Sequence, residues 1–172
     1  GLNSMKVALI SHEGGGISSV CNGLAQSLSN REIPTTIFSG TSKKPKAEKL
    51  NEFLDVIRLP QLDLPPRPMW FQFRNFRLLK KLLKDFTVVH GVSPEASMII
   101  AFYKRKLRKP FVVSLHAVPL STLKTFVKIP ISCWGLGSFG NHVLEYPLHY
   151  FQIRTCLANS DHVIACSFAT FS

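Results

Sequence analysis

Residues 5–29 read MKVALISHEGGGISSVCNGLAQSLS. An apolar run begins at Met5 and leads into three glycines, Gly14, Gly15 and Gly16, after which apolar residues recur at helical spacing. This order predicts a buried strand over residues 6–11, a glycine loop, and a helix over residues 17–29. Backbone N–H groups at such a helix start, with no Cβ in the way, attract anions, so the stretch predicts contact with a phosphate compound.

The rest of the chain repeats the alternation of strand and helix. A lysine-rich connection precedes residue 55, the proline-rich residues 60–68 predict a loop, and residues 119–140 predict no more than a loop or short helix. The further predicted strands cover residues 35–39, 55–59, 87–90, 111–116 and 162–166, and the further predicted helices cover residues 69–84, 94–107 and 144–157. Apolar strands alternating with helices predict an α/β protein, a Rossmann-like three-layer sandwich around a parallel sheet.

Length and composition narrow the class of protein. At 172 residues and 45% hydrophobic, the chain suits one domain with a substantial core. Apolar stretches such as residues 98–103 are far shorter than the roughly 18 residues of a membrane span, and no signal sequence is recognisable, so we expect a cytoplasmic protein. Residues 1–4 precede the first methionine, Met5, and we interpret them as a remnant of the expression vector. The four cysteines form no CxxC pair, which favours buried thiols and no metal site.

Basic residues outnumber acidic ones by 21 to 10, for a net charge of +11. They cluster at residues 43–49, 74–84 and 104–109, and each cluster is either an anion-binding patch or a solvated helix face. In the second cluster apolar residues, among them Phe73 and Phe76, recur in steps of three and four, which predicts a basic amphipathic helix. Such a helix covers a sheet or lies on the inner face of a membrane. The residues expected to contact a membrane or another anion are Trp70, Arg74, Arg77, Lys80, Lys81 and Lys84.

Polar residues stand where several predicted strands end. Glu13 follows the first strand, His90 ends another strand and is soon followed by Ser93, and His116 ends the next strand. In a parallel sheet ligands gather at the carboxyl ends of the strands. Two histidines at the ends of neighbouring strands, together with the glycine loop, favour His116 as a functional group over a buried core histidine.

Four sequence motifs that identify enzyme classes are incomplete or absent in this chain. The dinucleotide fingerprint GxGxxG is broken at Ser19, and the second strand ends in Ser39 and Gly40 without an acidic residue. No GK[ST] triplet of a P-loop is present. The GVSPE of residues 91–95 lacks the closing glycine of a nucleophile elbow, and the HE of residues 12–13 does not continue as HExxH. These failures disfavour dehydrogenases, nucleotide hydrolases, serine hydrolases and zinc proteases.

Four segments together resemble a known family. They are GGGISSVCNGLAQSL within residues 5–39, then DFTVVHGVSPEA, KPFVVSLHAVP and CLANSDHVIACSFAT. In order and content they resemble the N-terminal domain of a family 4 (group 1) retaining glycosyltransferase, GT4, of the GT-B fold. The resemblance implies that residues 5–172 form the N-terminal half of that fold. It implies an acceptor-side domain, with a second domain binding most of a nucleotide-diphosphate sugar donor.

The resemblance also implies roles for individual residues. The loop formed by Gly14, Gly15, Gly16 and Ile17 is expected beside the donor diphosphate and the acceptor. His116 is expected near the transferred sugar, where it orients the sugar or stabilises charge. The residues expected to bind donor or acceptor are Glu13, Gly14, Gly15, Gly16, Ile17, His90 and Ser93. The family's VVHAH pattern appears here as VVHGV, so its second histidine is absent.

The reaction implied is sugar transfer, with retention, to the hydroxyl of a glycan or lipid-linked acceptor, without a cofactor or metal. No carboxylate of this half is well placed by sequence to act as the base, although Glu13 alone lies near the glycine loop, so the leaving diphosphate is the expected base. The family's E-x7-E pair is missing and the chain stops at Ser172, so we expect a half-enzyme that is inactive without its C-terminal donor-binding domain. Two alternatives stay open: a non-catalytic basic module for nucleic acid or an anionic membrane, and a GT-B sugar-nucleotide epimerase. Nucleic acid is the weaker partner because the aromatic residues do not form a stacking pattern.

Overall fold

The computed structural model describes residues 5–12, 15–64, 67–116, 128 and 136–165. Seven strands in these ranges form one sheet, in the order β3-β4-β2-β1-β5-β6-β7. Neighbouring strands are parallel except for β3 with β4. The strands are β1 (Val7–Ile10), β2 (Thr35–Thr41), β3 (Lys46–Asn51), β4 (Leu54–Pro60), β5 (Val88–Gly91), β6 (Phe111–Leu115) and β7 (His162–Ala165).

Helices cover both faces of the sheet. They are α1 (Gly15–Ser29), α2 (Arg67–Arg74), α3 (Phe76–Leu82), α4 (Pro94–Leu107) and α5 (Leu136–Asn159). Alternate residues of β1 face opposite sides, as strand geometry requires. Val7 and Leu9 pack with side chains of α1, whereas Ala8 and Ile10 belong to the core cluster beneath α2, α3 and α4. The predicted Rossmann-like three-layer α/β sandwich is confirmed.

The order of the strands reverses at β1. From β1 the chain builds outward through β2 to β4, returns to β5 on the other side of β1, and continues outward through β6 to β7. Such a reversal opens a crevice beyond the carboxyl ends of the strands on either side of it. The ends of β1 and β5 are therefore where the fold leaves room for a ligand.

Strand β3 was not predicted. Its sequence, KAEKLN, is largely exposed and lacks the apolar alternation of a half-buried strand. It is held at the edge of the sheet by its antiparallel ladder with β4 and by Glu48, which forms ion pairs with Lys46 and Arg58. An edge strand with lysines resists pairing with other chains, which is a reason for such a composition at this place.

The single helix predicted over residues 69–84 is wrong, because the chain turns at Asn75 between α2 and α3. The Asn75 side-chain amide donates to Pro60 O and to Phe71 O, both at 2.7 Å. The predicted apolar stripe is wrong at its first two positions, since Phe73 and Phe76 are exposed, whereas its later members Leu79, Leu82, Leu83 and Phe86 are buried or packed against the core. The side chains buried along this segment are Phe71, Gln72, Asn75, Leu79 and Leu83.

Two other helices start earlier than expected. Helix α1 begins at Gly15, where a loop was predicted to last to residue 16, and α5 begins at Leu136, where residue 144 was predicted. Helix α5 is continuous through Pro147, a residue that usually ends a helix in sequence-based reasoning.

Candidate functional site

A small cleft lies beyond the carboxyl ends of β5 and β6. Its volume is about 70 Å³. It is bounded by the first turns of α1 and α4, by α5 and by the residue that follows β6. The side chains that line it are those of Ile17, Ser93, Pro94, Glu95, His116, His149 and Ile153.

The start of α4 is fixed at the cleft by its own sequence. Ser93 is the N-cap, and its Oγ accepts a hydrogen bond from Ala96 N at 3.3 Å, while Pro94 occupies the first turn. The Ser97 hydroxyl donates to Ser93 O at 2.6 Å. A Cβ at Gly91 would overlap the Ser97 side chain, so glycine there lets α4 pack closely over β5. The positive end of the helix dipole of α4 is thereby held at the cleft, where it favours an anion.

His116 reaches the cleft from the end of β6. Its Nε2 lies 2.8 Å from Val92 O. A carbonyl oxygen only accepts, so Nε2 carries the proton in this contact and the orientation of the ring is fixed. The structure thus places His116 where the sequence predicted it, at the carboxyl end of a strand and beside the start of α4.

His90 lies behind the cleft rather than among the side chains that line it. It is 7% exposed, and its Nε2 is 2.8 Å from Ser114 Oγ on the neighbouring strand. Burial, with a smaller contribution from the charge of His116, lowers the pKa of His90 to about 4. His90 is therefore neutral at physiological pH and ties β5 to β6 beneath His116.

Glu95 and His149 form a pair across the cleft that the sequence did not predict. His149 Nδ1 on α5 is 2.8 Å from Glu95 Oε1 on α4. Burial raises the pKa of Glu95, but the hydrogen bond and charge of His149, with Ser93 and the backbone, bring it below its usual value. Within the described residues, Glu95 Oε2 is buried without a hydrogen-bond partner. The expectation that Glu13 is the only carboxylate near the glycine-rich segment is wrong, because Glu95 lines the same cleft as Ile17.

Helix α4 is also fixed to α2, through the fully buried side chain of Gln72. Gln72 Nε2 donates to Glu95 O at 2.7 Å, and Gln72 Oε1 accepts from Ile99 N at 2.9 Å. In a regular helix these two backbone groups pair with each other. The amide of Gln72 thus binds the backbone of the first turns of α4, including the carbonyl of the residue whose carboxylate lines the cleft.

The glycine-rich segment is only partly described. Gly15 and Gly16 form the first turn of α1, and Ile17 lines the cleft. Glu13 and Gly14, both expected to bind donor or acceptor, lie outside the described residues. Two helix N-termini, those of α1 and α4, therefore begin beside one cleft that holds an imidazole and a paired carboxylate. This arrangement suits a ligand with a negatively charged group and a hydroxyl.

The sequence pattern of the family described as Glycosyltransferase Family 4 matches residues 14–171 of the chain. The chain belongs to glycosyltransferase family 4. The resemblance predicted from four sequence segments is confirmed, and the chain is a glycosyltransferase-type domain. Among curated proteins none matches it.

Solved structures similar to this family 4 domain include sucrose-phosphate synthase from Thermosynechococcus elongatus, with a TM-score of 0.62 and 15% identity over 92% of the chain. HepE from Anabaena, solved with UDP and glucose, gives a TM-score of 0.56 and 13% identity over 96% of the chain. The family 4 domain spans 41% of the first protein and 39% of the second. At such low identity the likeness shows the fold, which is that of GT-B glycosyltransferases.

A second, larger groove lies on the α1 side of the family 4 domain, between α1 and the strands β2 and β4. Its volume is about 210 Å³. The groove is lined by apolar strand residues, among them Ile37 and Val56, by the buried hydroxyl group of Ser39 on β2, and by the amide group of Asn22 on α1. His12, which follows β1, also lines it, and burial lowers the pKa of this histidine despite the opposing charge of Glu95.

The basic residues predicted to contact a membrane or another anion lie on α2, α3 and the turn after α3, not at the cleft. Arg74, Arg77, Lys81 and Lys84 are exposed, while Trp70 is half-buried against Phe73. No helix in the described part of the family 4 domain combines the length and the apolarity needed to cross a membrane.

Proposed function

We propose that this family 4 domain is the acceptor-side half of a retaining glycosyltransferase. The enzyme moves a sugar from a nucleotide-diphosphate donor to a hydroxyl of a glycan or lipid-linked acceptor, in the cytoplasm and without a metal or cofactor. A C-terminal domain of the same protein binds most of the donor, and the acceptor-side half alone is inactive. The spans of 41% and 39% of the two solved glycosyltransferases support a missing half.

One observation carries the proposal. His116 is hydrogen-bonded to Val92 O at the cleft where the N-termini of α1 and α4 both lie. Two helix N-termini favour the diphosphate of a sugar nucleotide. A fixed imidazole beside them is suited to orient the transferred sugar and to stabilise charge as the bond to the diphosphate breaks. His90 supports this role, because its bond to Ser114 stabilises the ends of the strands on which His116 rests.

Glu95 is the carboxylate at the cleft that has to be considered as the base for the acceptor hydroxyl. Its carboxylate pairs with His149, and this pairing brings its pKa below the usual value despite burial. A carboxylate with a lowered pKa is a weak base. We therefore assign Glu95 to holding His149 at the cleft, and the leaving diphosphate remains the base that takes the proton of the acceptor hydroxyl.

The test compares this chain with the full polypeptide from the same reading frame. UDP-glucose is the first donor probe, followed by GDP-mannose and ADP-glucose, and release of the nucleoside diphosphate is measured. We expect turnover by the longer protein and none above background by the chain alone. In the longer protein, His116→Ala should lower kcat by about 100-fold, the loss typical of one preorganised electrostatic contact at a reacting centre.

His162→Ala is the matched control, because His162 is exposed at the start of β7, the opposite end of the sheet. Unchanged kcat in His116→Ala would remove the role given to His116. Full turnover by the chain alone would refute the half-enzyme, and no turnover of any of the three donors by the longer protein would refute sugar transfer itself.

A further inference from the structure

The sheet face opposite α1 is covered by α2, α3, α4 and α5, and we call the solvent side of this layer the outer helical face. Large apolar side chains are exposed on each of these helices. Phe102 on α4 is 57% exposed, Phe73 on α2 is 52% exposed, and Phe151 on α5 is 49% exposed. The set is Phe73, Phe76, Leu78, Phe102, Tyr150 and Phe151. Such side chains are normal when scattered singly, but here Phe102 and Phe151 contact each other across two helices.

Ring contacts connect the exposed aromatic side chains across helix boundaries. The rings of Phe102 and Phe151 are 6.1 Å apart, so α4 and α5 share one aromatic surface. Phe76 of α3 packs edge-to-face, at 4.7 Å, on Tyr103, the residue next to Phe102 on α4. The exposed rings of α4 and α5 are therefore in contact, and Phe76 joins α3 to the buried Tyr103 of α4; the sequence-based prediction of a membrane contact covered only α2, α3 and the turn after α3.

Exposed cations accompany the aromatic side chains on each helix. Arg105 and Lys106 follow Phe102 by three and four residues on α4, and Arg154 follows Phe151 by three on α5. Residues three and four apart lie on the same side of a helix, so each cation adjoins its aromatic neighbour. On α2, Arg74 directly follows Phe73 and is exposed as well, but at a spacing that turns the two side chains apart. The pattern of an exposed ring with a cation on the same side thus occurs on α4 and α5.

Few of the side chains that the structure describes in this layer are acidic. Among the described side chains of α2, α3, α4 and α5 the one acid is Glu95, and it lies in the cleft. Asp85 follows in the short turn after α3. The described cations on the four helices are Arg74, Arg77, Lys80, Lys81, Lys104, Arg105, Lys106 and Arg154. Although Lys104 pairs with Asp161, the described side chains of the outer helical face are mainly basic, and this charge favours an anionic partner surface.

We propose that the outer helical face docks on an anionic lipid bilayer, with its aromatic side chains at the level of the head groups. Aromatic rings and long basic side chains together are suited to a membrane interface, because the rings enter the apolar boundary while the cations remain at the phosphates. Nucleic acid would need rings free to stack on bases, whereas Phe102 packs against Phe151 and Phe76 against Tyr103. This docking is independent of the transfer reaction proposed above.

The test is sedimentation of the chain with vesicles of phosphatidylcholine alone and of phosphatidylcholine mixed with phosphatidylglycerol. We expect the chain to sediment with the mixed vesicles and to remain in solution with the neutral ones. The double variant Arg105→Gln/Lys106→Gln should lower the partition coefficient about thirtyfold, from a roughly fivefold loss for each cation. The double variant Phe102→Ser/Phe151→Ser should lower it about tenfold or more through lost apolar burial.

Matched controls lie away from this face. Lys43→Gln/Lys44→Gln removes the same charge from an exposed segment after β2, and Val20→Ser removes an exposed apolar group from α1. Neither should change the partition coefficient by more than about twofold. All changed side chains are exposed, and equal urea midpoints will show that the variants fold.

The proposal is overturned by equal sedimentation with both kinds of vesicle, or by sedimentation with neither. An equal loss in the Lys43 and Lys44 control would show a non-specific effect of net charge. An unchanged partition coefficient in Phe102→Ser/Phe151→Ser would also overturn it. So would salt-sensitive binding to duplex RNA without sedimentation on vesicles, or binding by this chain that the full polypeptide lacks.

Discussion

Replacing His90 by glutamine should remove a pH-dependent part of the stability of the domain. His90 is 7% exposed, and burial lowers its pKa from 6.5 to about 4. The unfolded chain therefore binds a proton on His90 more readily than the native protein does. The stability that neutral His90 contributes is present above pH 6.5 and is lost as the pH falls toward 4. Between about pH 7 and about pH 5 the loss amounts to about 2 kcal/mol.

Glutamine is the suitable replacement because its amide can bond to Ser114 Oγ in place of Nε2 and does not titrate. Urea unfolding followed by circular dichroism at both pH values gives the free energy of unfolding of each protein. We expect the wild type to lose about 2 kcal/mol more than His90→Gln between the two conditions. Other histidines, including His12 with its lowered pKa, affect both proteins alike and cancel in the difference. Equal losses in the two proteins would show that His90 is not a buried neutral imidazole.

Two further predictions concern packing and thiol chemistry. Gly91→Ala should lower the free energy of unfolding by about 2 kcal/mol, because the new Cβ would overlap Ser97. Gly23→Ala, in open space on α1, should raise that free energy by about 1 kcal/mol. Urea unfolding measures both, and equal effects of the two substitutions would contradict the close approach of α4 to β5. Cys21 and Cys156 are buried, and burial raises the thiol pKa to about 11 and about 12 respectively, so neither should react with DTNB until the protein unfolds. More than two fast-reacting thiols in the native protein, which has four cysteines, would contradict this.

The sheet was predictable because its central strands are buried on both faces. Parallel strands between two helical layers read as continuous apolar runs, and the VALI of β1 and the FVVSL of β6 are such runs. Strand β3 could not be found in this way, since main-chain hydrogen bonds to β4 stabilise it and its side chains bury little. The turn at Asn75 was missed for a related reason. Apolar spacing continues through it, and the chain turns because one amide bonds to two carbonyl oxygens.

The part of the candidate site that follows directly after a strand was predictable from the sequence. His116 follows β6, and the sequence alone placed it at the edge where ligands bind. The Glu95–His149 pair was not predictable, because α4 and α5 are far apart in sequence and only packing brings them together. A signal for Glu95 was present in the SPEA of residues 93–96. An N-cap serine, a first-turn proline and a glutamate directly after a strand place that carboxylate at the same edge as His116.

Gln72 holds helix α2 at a fixed position relative to α4 and the cleft. Helix α2 cannot slide along α4 without breaking two buried hydrogen bonds, each worth about 1 kcal/mol. One of these bonds is to the carbonyl of Glu95, whose carboxylate lines the cleft. The distance between the cleft and the outer surface of α2 is therefore fixed by hydrogen bonds and apolar packing inside the domain rather than by the length of a loop. In the membrane docking proposed above, Gln72 would thus help to fix how far the cleft stands from the lipid surface.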